Sequence, residues 1–213
     1  MRTDDLIALL AAESGKVDRH LLARRLALAV MIGVAGAAML AIALFGIRPD
    51  LLDVARTPLF WAKVAFPTAL GLGALWFTAR LSRPGVDPGV TWCVLALPLL
   101  LVLLGGAAAL IDAPAEGRTP LVLGQTWRTC PFNIALLSVP GFIANFWALK
   151  AMCPTRLRLA GAGAGLLSGA AATLAYCIHC PEMGVPFWGI WYVAGMLIPT
   201  LVGAALGPRV LRW

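Results

Sequence analysis

Two short stretches hold most of the chemistry available to this chain. Cys177-Ile178-His179-Cys180-Pro181-Glu182 packs two thiols, an imidazole and a carboxylate into six residues, and Trp127-Arg128-Thr129-Cys130-Pro131 repeats its Cys-Pro pair. The first stretch is a C-x-x-C pair with a histidine between the thiols, a pattern suited to disulfide exchange because a neighbouring imidazole lowers a thiol pKa. Cys177 and Cys180 would then act as an oxidoreductase pair, although such an enzyme also needs a second thiol pair and a cofactor pocket, and neither is evident. Cys130 and Cys180 are equally thiolate donors for a soft cation, to which His179 could add nitrogen and Glu182 oxygen. A sensor of this kind needs no catalytic apparatus, only two states that differ in ligand or disulfide. Against both stands a plain structural reading: Pro131 and Pro181 set loop turns, and the thiols are inert packing.

The elements that must hold these stretches are read from composition. Of the 213 residues, 61% are hydrophobic and 13% charged, with a mean hydropathy of +0.87. Soluble globular chains carry about 25% charged residues, and apolar runs near 20 residues are the length that crosses a bilayer. The expected fold class is therefore an all-α membrane protein, a six-transmembrane-helix bundle with spans near 26–47, 58–79, 89–111, 132–149, 159–176 and 185–206. The first run resembles a secretion signal, but its apolar core is too long and Arg48-Pro49-Asp50 follows it directly, so an uncleaved span is expected. Gly161, Gly165 and Gly169, like Gly203 and Gly207, recur every fourth residue, a spacing that lets helix backbones approach closely in lipid.

A net charge of +7 invites a nucleic-acid reading, but the basic residues cluster at the ends of the apolar runs, as they do when they set membrane orientation. Twelve of them (Arg2, Lys16, Arg19, Arg24, Arg25, Arg80, Arg83, Lys150, Arg156, Arg158, Arg209, Arg212) fall on the side of the termini, against Arg48, Arg56, Arg118 and Arg128 on the other. Both termini are thus expected in the cytoplasm. Parity then puts Cys93 and Cys153 on the cytoplasmic side, and Cys130, Cys177 and Cys180 on the outer side, where disulfides can persist. Lys63, about a turn and a half inside the second span, reads as a lysine that snorkels to the interface. Asn133 and Asn145 read as interhelical hydrogen-bonding groups. With no acid partner in the spans, a transporter or channel has little to work with.

Residues 1–25 form the one sizeable segment outside the spans. Thr3 can cap a helix whose positive end Asp4 and Asp5 favour, and Leu6, Ile7, Leu9 and Leu10 make an apolar stripe. Such a helix fits a membrane surface or a groove on a partner protein.

Taken in order, Thr3-Asp4-Asp5-Leu6-Ile7, Phe60-Trp61-Ala62-Lys63, Trp127-Arg128-Thr129-Cys130-Pro131, His179-Cys180-Pro181-Glu182, Trp191-Tyr192 and Gly207-Pro208-Arg209 resemble the NrsF family. Its members are six-span anti-sigma factors of the bacterial inner membrane that restrain an extracytoplasmic-function sigma factor. The likeness covers almost the whole chain, and the Trp-Arg-x-Cys-Pro and His-Cys-Pro-Glu stretches are its most specific parts.

The resemblance implies a regulator with no catalytic residues and no resident cofactor, beyond a transient soft metal ion on Cys130, Cys180 and His179. Its sigma-factor-binding residues would be Thr3, Asp4, Asp5, Leu6, Ile7, Leu9 and Leu10 in a cytoplasmic segment, residues 1–25, followed by the bundle, residues 26–213. Cys130 and Cys180 would receive a stress signal such as chromate, cadmium or oxidation, supported by Trp127, Arg128, Cys177, His179, Pro181 and Glu182. Its partners would be the sigma factor and the lipid bilayer, with no nucleic acid bound directly. Cys177, Cys93 and Cys153 stand outside the family pattern. The competing classes are a membrane thiol–disulfide oxidoreductase using Cys177 and Cys180, and a small transporter.

Overall fold

The computed structural model describes residues 3–5, 20–83 and 85–212, and every regular element among them is helical. In chain order these are α1 (Leu21–Phe45), α2 (Leu51–Val54), α3 (Pro58–Leu81), α4 (Thr91–Asp112) and α5 (Ala115–Leu123). They continue with α6 (Cys130–Leu137), α7 (Val139–Lys150), α8 (Leu157–Tyr176) and α9 (Val185–Val210). Five of these helices are long and apolar enough to cross a membrane, and there are six candidates when α6 and α7 count as one bent span. The expected span positions agree with these helices to within a few residues.

Local chemistry fixes the ends that matter for the site. α3 opens at Thr57, whose Oγ1 accepts the Phe60 N–H at 3.4 Å, with Pro58 in the first helical position, where a missing N–H costs nothing. α1 stops at Gly46, which takes φ 75°, a left-handed value that glycine adopts without Cβ strain.

α8 is the hub. Thirteen of its 20 residues are buried, and it packs against α1, α3, α6, α7 and α9. Its glycines make the tightest of these contacts possible. A Cβ on Gly161 would overlap the Gly203 carbonyl, one on Gly165 the Pro199 carbonyl, and one on Gly207 the Leu157 carbonyl. The expected small-residue seam therefore exists, running between α8 and α9. α4 lies at the edge, turning Leu97, Leu100, Leu101, Leu103 and Leu104 outward.

Three features depart from the expected layout. The fourth apolar run bends by 43° between α6 and α7. Pro140 has no N–H to continue the helical ladder there and its ring crowds the preceding turn, while Ser138 Oγ donates to Ala135 O at 2.7 Å. The loop before that run contains α5. Finally, α9 carries a π-helical turn at Trp188–Tyr192, a widening that re-aims the side chains around it.

Candidate functional site

Both thiol-bearing stretches fall at one end of the bundle, where α1 and α8 finish and α3, α6 and α9 begin. Cys130 is the first residue of α6, followed by Pro131 in the first turn. Cys177 caps α8, and the chain then turns tightly, with the His179 and Cys180 N–H groups both donating to Tyr176 O at 3.0 and 2.9 Å. Residues 180–184 are irregular until α9 starts. Cys130, Cys177 and Cys180 are free thiols, all buried, in one core cluster with Tyr176, Phe187, Trp188, Tyr192 and Met196.

Two cations organise this turn through its backbone. Lys63, fully buried in α3, donates from Nζ to Cys180 O at 2.7 Å and to Glu182 O at 2.8 Å. The ammonium also lies 5.8 Å from the centre of the Tyr192 ring, a favourable cation–π distance. Arg48, in the chain just past α1, donates from Nη1 to the same Cys180 O at 3.1 Å and to Met183 Sδ at 3.7 Å. Its Nε and Nη2 grip Asp50 with two bonds of 2.7 Å, and its backbone N–H donates to Ile178 O at 3.2 Å. Hydrogen bonding to Asp50 raises the Arg48 pKa above its ordinary value, and the same pair holds the Asp50 carboxyl below the usual carboxylate range. Charge-assisted bonds are stronger than neutral ones, so the Cys180 carbonyl is the most firmly held atom of the turn.

A second layer closes around it. The Glu182 carboxylate accepts from Gln125 N at 2.6 Å and Thr126 N at 3.2 Å, tying the 180–184 segment to the stretch before Cys130. Trp188 Nε1 donates to Glu182 O at 3.2 Å, and Trp191 Nε1 to Val122 O at 2.8 Å. Both indoles are placed by the π-helical turn. Trp127 stacks at a tilt on Trp191, 5.2 Å between centres, and the exposed Arg128 guanidinium lies 5.1 Å over the Trp127 ring. The His179 Nδ1–H donates to Gly46 O at 3.3 Å, with its ring between Phe45 and Tyr176.

The expected site residues Cys130, Cys180, Cys177, His179, Glu182 and Trp127 thus meet at this end, while Pro181 and Arg128 stand on its surface. Among the described residues no group of three His, Cys, Asp or Glu side chains is placed to hold a metal ion, and the His179 ring bonds Gly46 O. One expectation needs correction. Lys63 does not snorkel outward, because the two carbonyls of the Cys180–Glu182 turn satisfy its ammonium inside. Thr3, Asp4 and Asp5 are helical and exposed. Leu6, Ile7, Leu9 and Leu10 lie outside the described residues.

Sequence reasoning counted Arg48 only as a flanking charge and gave no role to Tyr192, named only within the family resemblance, whose buried hydroxyl has no hydrogen-bond partner among the described residues. The signal for Lys63 was present, since an ionisable residue inside an apolar span marks a site by default. Asn145 behaves as expected, donating to Ser168 Oγ at 3.0 Å. Asn133 does so more loosely, to Tyr176 Oη at 3.4 Å.

The whole chain is similar to two named proteins. It is 48% identical to the probable anti-sigma-F factor NrsF of Azospira oryzae and 37% identical to the anti-sigma-F factor NrsF of Caulobacter vibrioides, with all of each chain covered in both cases. The family described as NrsF, negative regulator of sigma F, matches residues 10–213. No solved structure matches.

Proposed function

The chain belongs to the NrsF family of negative regulators of sigma F, whose members are regulatory proteins rather than enzymes, and from this premise we propose that it is a membrane-bound anti-sigma factor switched by two thiols. It crosses the bacterial inner membrane six times with both termini in the cytoplasm. Its N-terminal segment, with Thr3 to Asp5 and the Leu6, Ile7, Leu9 and Leu10 stripe, holds a sigma F of the extracytoplasmic-function class away from RNA polymerase. Heavy-metal or oxidative stress acting on Cys130 and Cys180 at the outer face releases it.

One observation carries the thiol part of this reading. Cys130 and Cys180 sit buried in one cluster at a turn whose backbone is gripped by Lys63 from α3 and by Arg48 from the chain just past α1. A bond made at either sulfur therefore has to displace structure, which is what a switch requires. The orientation rests on the basic residues at the cytoplasmic ends, where Arg156 and Asp87 form an ion pair and Arg80 Nε donates to Asp87 O at 3.0 Å.

The test uses membranes carrying the full chain with sigma F bound. Diamide, which takes up two hydrogens as two thiols join in a disulfide, should release sigma F from the unsubstituted chain. Cys130→Ser and Cys180→Ser should retain it with and without the oxidant. Full release from Cys180→Ser would overturn the thiol switch. Cys177→Ala should respond like the unsubstituted chain, whereas an oxidoreductase working through Cys177 and Cys180 would lose its activity with that substitution. Deleting residues 1–13 should abolish sigma F binding altogether.

A further inference from the structure

A thiol switch at this end of the bundle has to reach an N-terminal segment joined to the far end of α1, and the contacts of the Cys180 turn single out one route. The turn is held by Lys63 from α3, by the Glu182 carboxylate on residues 125–126, and by Arg48 from the chain just past α1. Of these anchors only Arg48 belongs to the element that continues to the N-terminus. It spans two bodies with one side chain: Nε and Nη2 stay on Asp50 beside α1, while Nη1 reaches across to Cys180 O. Two further contacts run parallel to it, Arg48 N–H to Ile178 O at 3.2 Å and His179 Nδ1 to Gly46 O at 3.3 Å. The end of α1 is thus bonded to residues 178, 179 and 180, the residue that carries the sulfur included.

α1 is also shaped to respond. Its buried residues after Leu26 are Ala29, Gly33, Ala37 and Ala41, one every fourth position. Between Leu26, buried near one end, and Phe45, packed on Tyr176 and His179 at the other, the fully buried positions of this face hold only small residues, and where α1 meets α7 the Gly33 and Gly141 backbones touch, a Cβ on Gly33 falling 3.0 Å from Gly141 Cα. A smooth small-residue face allows close packing with little interdigitation, so a displacement at one end is carried along the helix rather than absorbed by meshed side chains. α3, by contrast, buries Phe60, Phe66, Leu70 and Phe77, large side chains that mesh with its neighbours.

We propose that Arg48 is the positioning residue that couples the Cys180 turn to α1, so that the bonding state of the Cys180 sulfur sets the position of the helix leading to the sigma-factor-binding segment. This rests on the thiol-switch reading above. A disulfide between Cys180 and Cys130 fixes the separation of their Cβ atoms at about 3.5–4.5 Å. Cys180 O moves with its own Cβ, and Lys63, rooted in α3, holds the other side of that carbonyl. The strain then falls on the Arg48 contact and on α1.

The experiment compares the unsubstituted full chain with Arg48→Met in native membranes with sigma F bound. Disulfide formation by diamide is read by mass, and sigma F release is read as the ratio between oxidised and reduced samples. The unsubstituted chain should show a ratio in the range of allosteric couplings, on the order of tenfold. Arg48→Met should form the same disulfide yet show a ratio below about twofold, a coupling close to zero on that scale. A merely structural role for Arg48 would not separate disulfide formation from release in this way. Equal release from both chains would overturn the coupling and leave the thiol switch standing. No release from the unsubstituted chain would overturn the switch and the coupling together.

A second measurement needs no substitution and decides the matter if Arg48→Met does not accumulate. Amide hydrogen exchange over residues 46–54 should speed up on oxidation as the Arg48 N–H leaves Ile178 O. Unchanged exchange there, with sigma F released, would show that the signal bypasses Arg48.

Discussion

Because Lys63 and Arg48 share one acceptor, their removal should be worth more together than apart. Lys63→Met keeps most of the side-chain stem and deletes an ammonium that donates to Cys180 O and Glu182 O. Hydrogen bonds to a charged group contribute about 1.5–3 kcal/mol each, so about 3–6 kcal/mol of gross attraction is lost. Two effects reduce that figure. The ammonium no longer has to be held out of water, which returns a few kcal/mol. Neither carbonyl is stranded, since Cys180 O keeps Arg48 Nη1 at 3.1 Å and Glu182 O keeps Trp188 Nε1 at 3.2 Å. The net loss should be about 1–3 kcal/mol. Arg48→Met alone likewise leaves Cys180 O bonded to Lys63. The double substitution strips both cations from a buried carbonyl and adds the cost of an unsatisfied acceptor, about 1–3 kcal/mol. Unfolding of all four proteins by SDS in mixed micelles gives the cycle. A double variant more destabilised than the sum of the singles by about 1 kcal/mol or more supports the shared acceptor. Additivity to within about 0.5 kcal/mol would refute it.

Gly165→Leu tests the α8–α9 seam: its side chain would meet the Pro199 carbonyl carbon at 2.6 Å and Thr200 Cα at 2.8 Å, backbone atoms with no room to yield. Overpacking of this kind costs about 1–3 kcal/mol or more, so the variant should show a lower SDS midpoint and reduced steady-state level in membranes. The Arg48–Asp50 pair should appear in the acid limb of the stability profile. The Asp50 carboxyl is held below its usual 3.8 in the folded chain, so its contribution is present above that value and fades as pH falls through the lowered one. Asp50→Asn should flatten that limb and lower the plateau near neutrality, where the contribution is fully present.

The parts of the fold that sequence exposes are those set by local rules. Each apolar run is long enough to span a bilayer, and all but the fifth, which runs on into Cys177, end at a charge or a glycine. Glycine spacing in residues 161–169 and 203–207 likewise announces a close helix pair. What stays hidden depends on tertiary contact. Lys63 finds its acceptors 117 and 119 residues along the chain, so nothing near it distinguishes a buried clamp from a snorkelling lysine. The His179 ring belongs to Gly46 rather than to the thiols, 133 residues away in sequence. The 43° bend escapes notice because α6 and α7 together have the hydropathy of one straight span. α5 escapes because it is nine residues long with Pro120 inside, well short of a span and without a strong apolar stripe.

Burial of Cys130 and Cys180 sets a condition on any signal that passes through them. A thiol reacts only when its reagent can reach it, and Cys130 and Cys180 are both fully buried in the cluster that holds the Cys180–Glu182 turn, so reaction waits on an opening there. The opening equilibrium is governed by the bonds that close it: Lys63 and Arg48 on Cys180 O, Glu182 on Gln125 and Thr126, and the two indoles of the π-helical turn. Weakening one of these bonds raises the open population and with it the rate at which a reagent finds the thiols. Strengthening one lowers both. Glu182→Gln is the sharpest probe of this gate, because it leaves both cations and all the thiols in place while removing the charge from the oxygen that accepts from Gln125 N and Thr126 N. With opening fast and reaction slow, labelling of Cys130 and Cys180 by a small thiol reagent should accelerate by the factor by which the turn is weakened. Exchanging the two charge-assisted bonds for neutral ones is worth about 1–2 kcal/mol in all, which predicts labelling faster by about five- to thirtyfold. Labelling at an unchanged rate would mean that the thiols are reached from another side and that the turn is no gate.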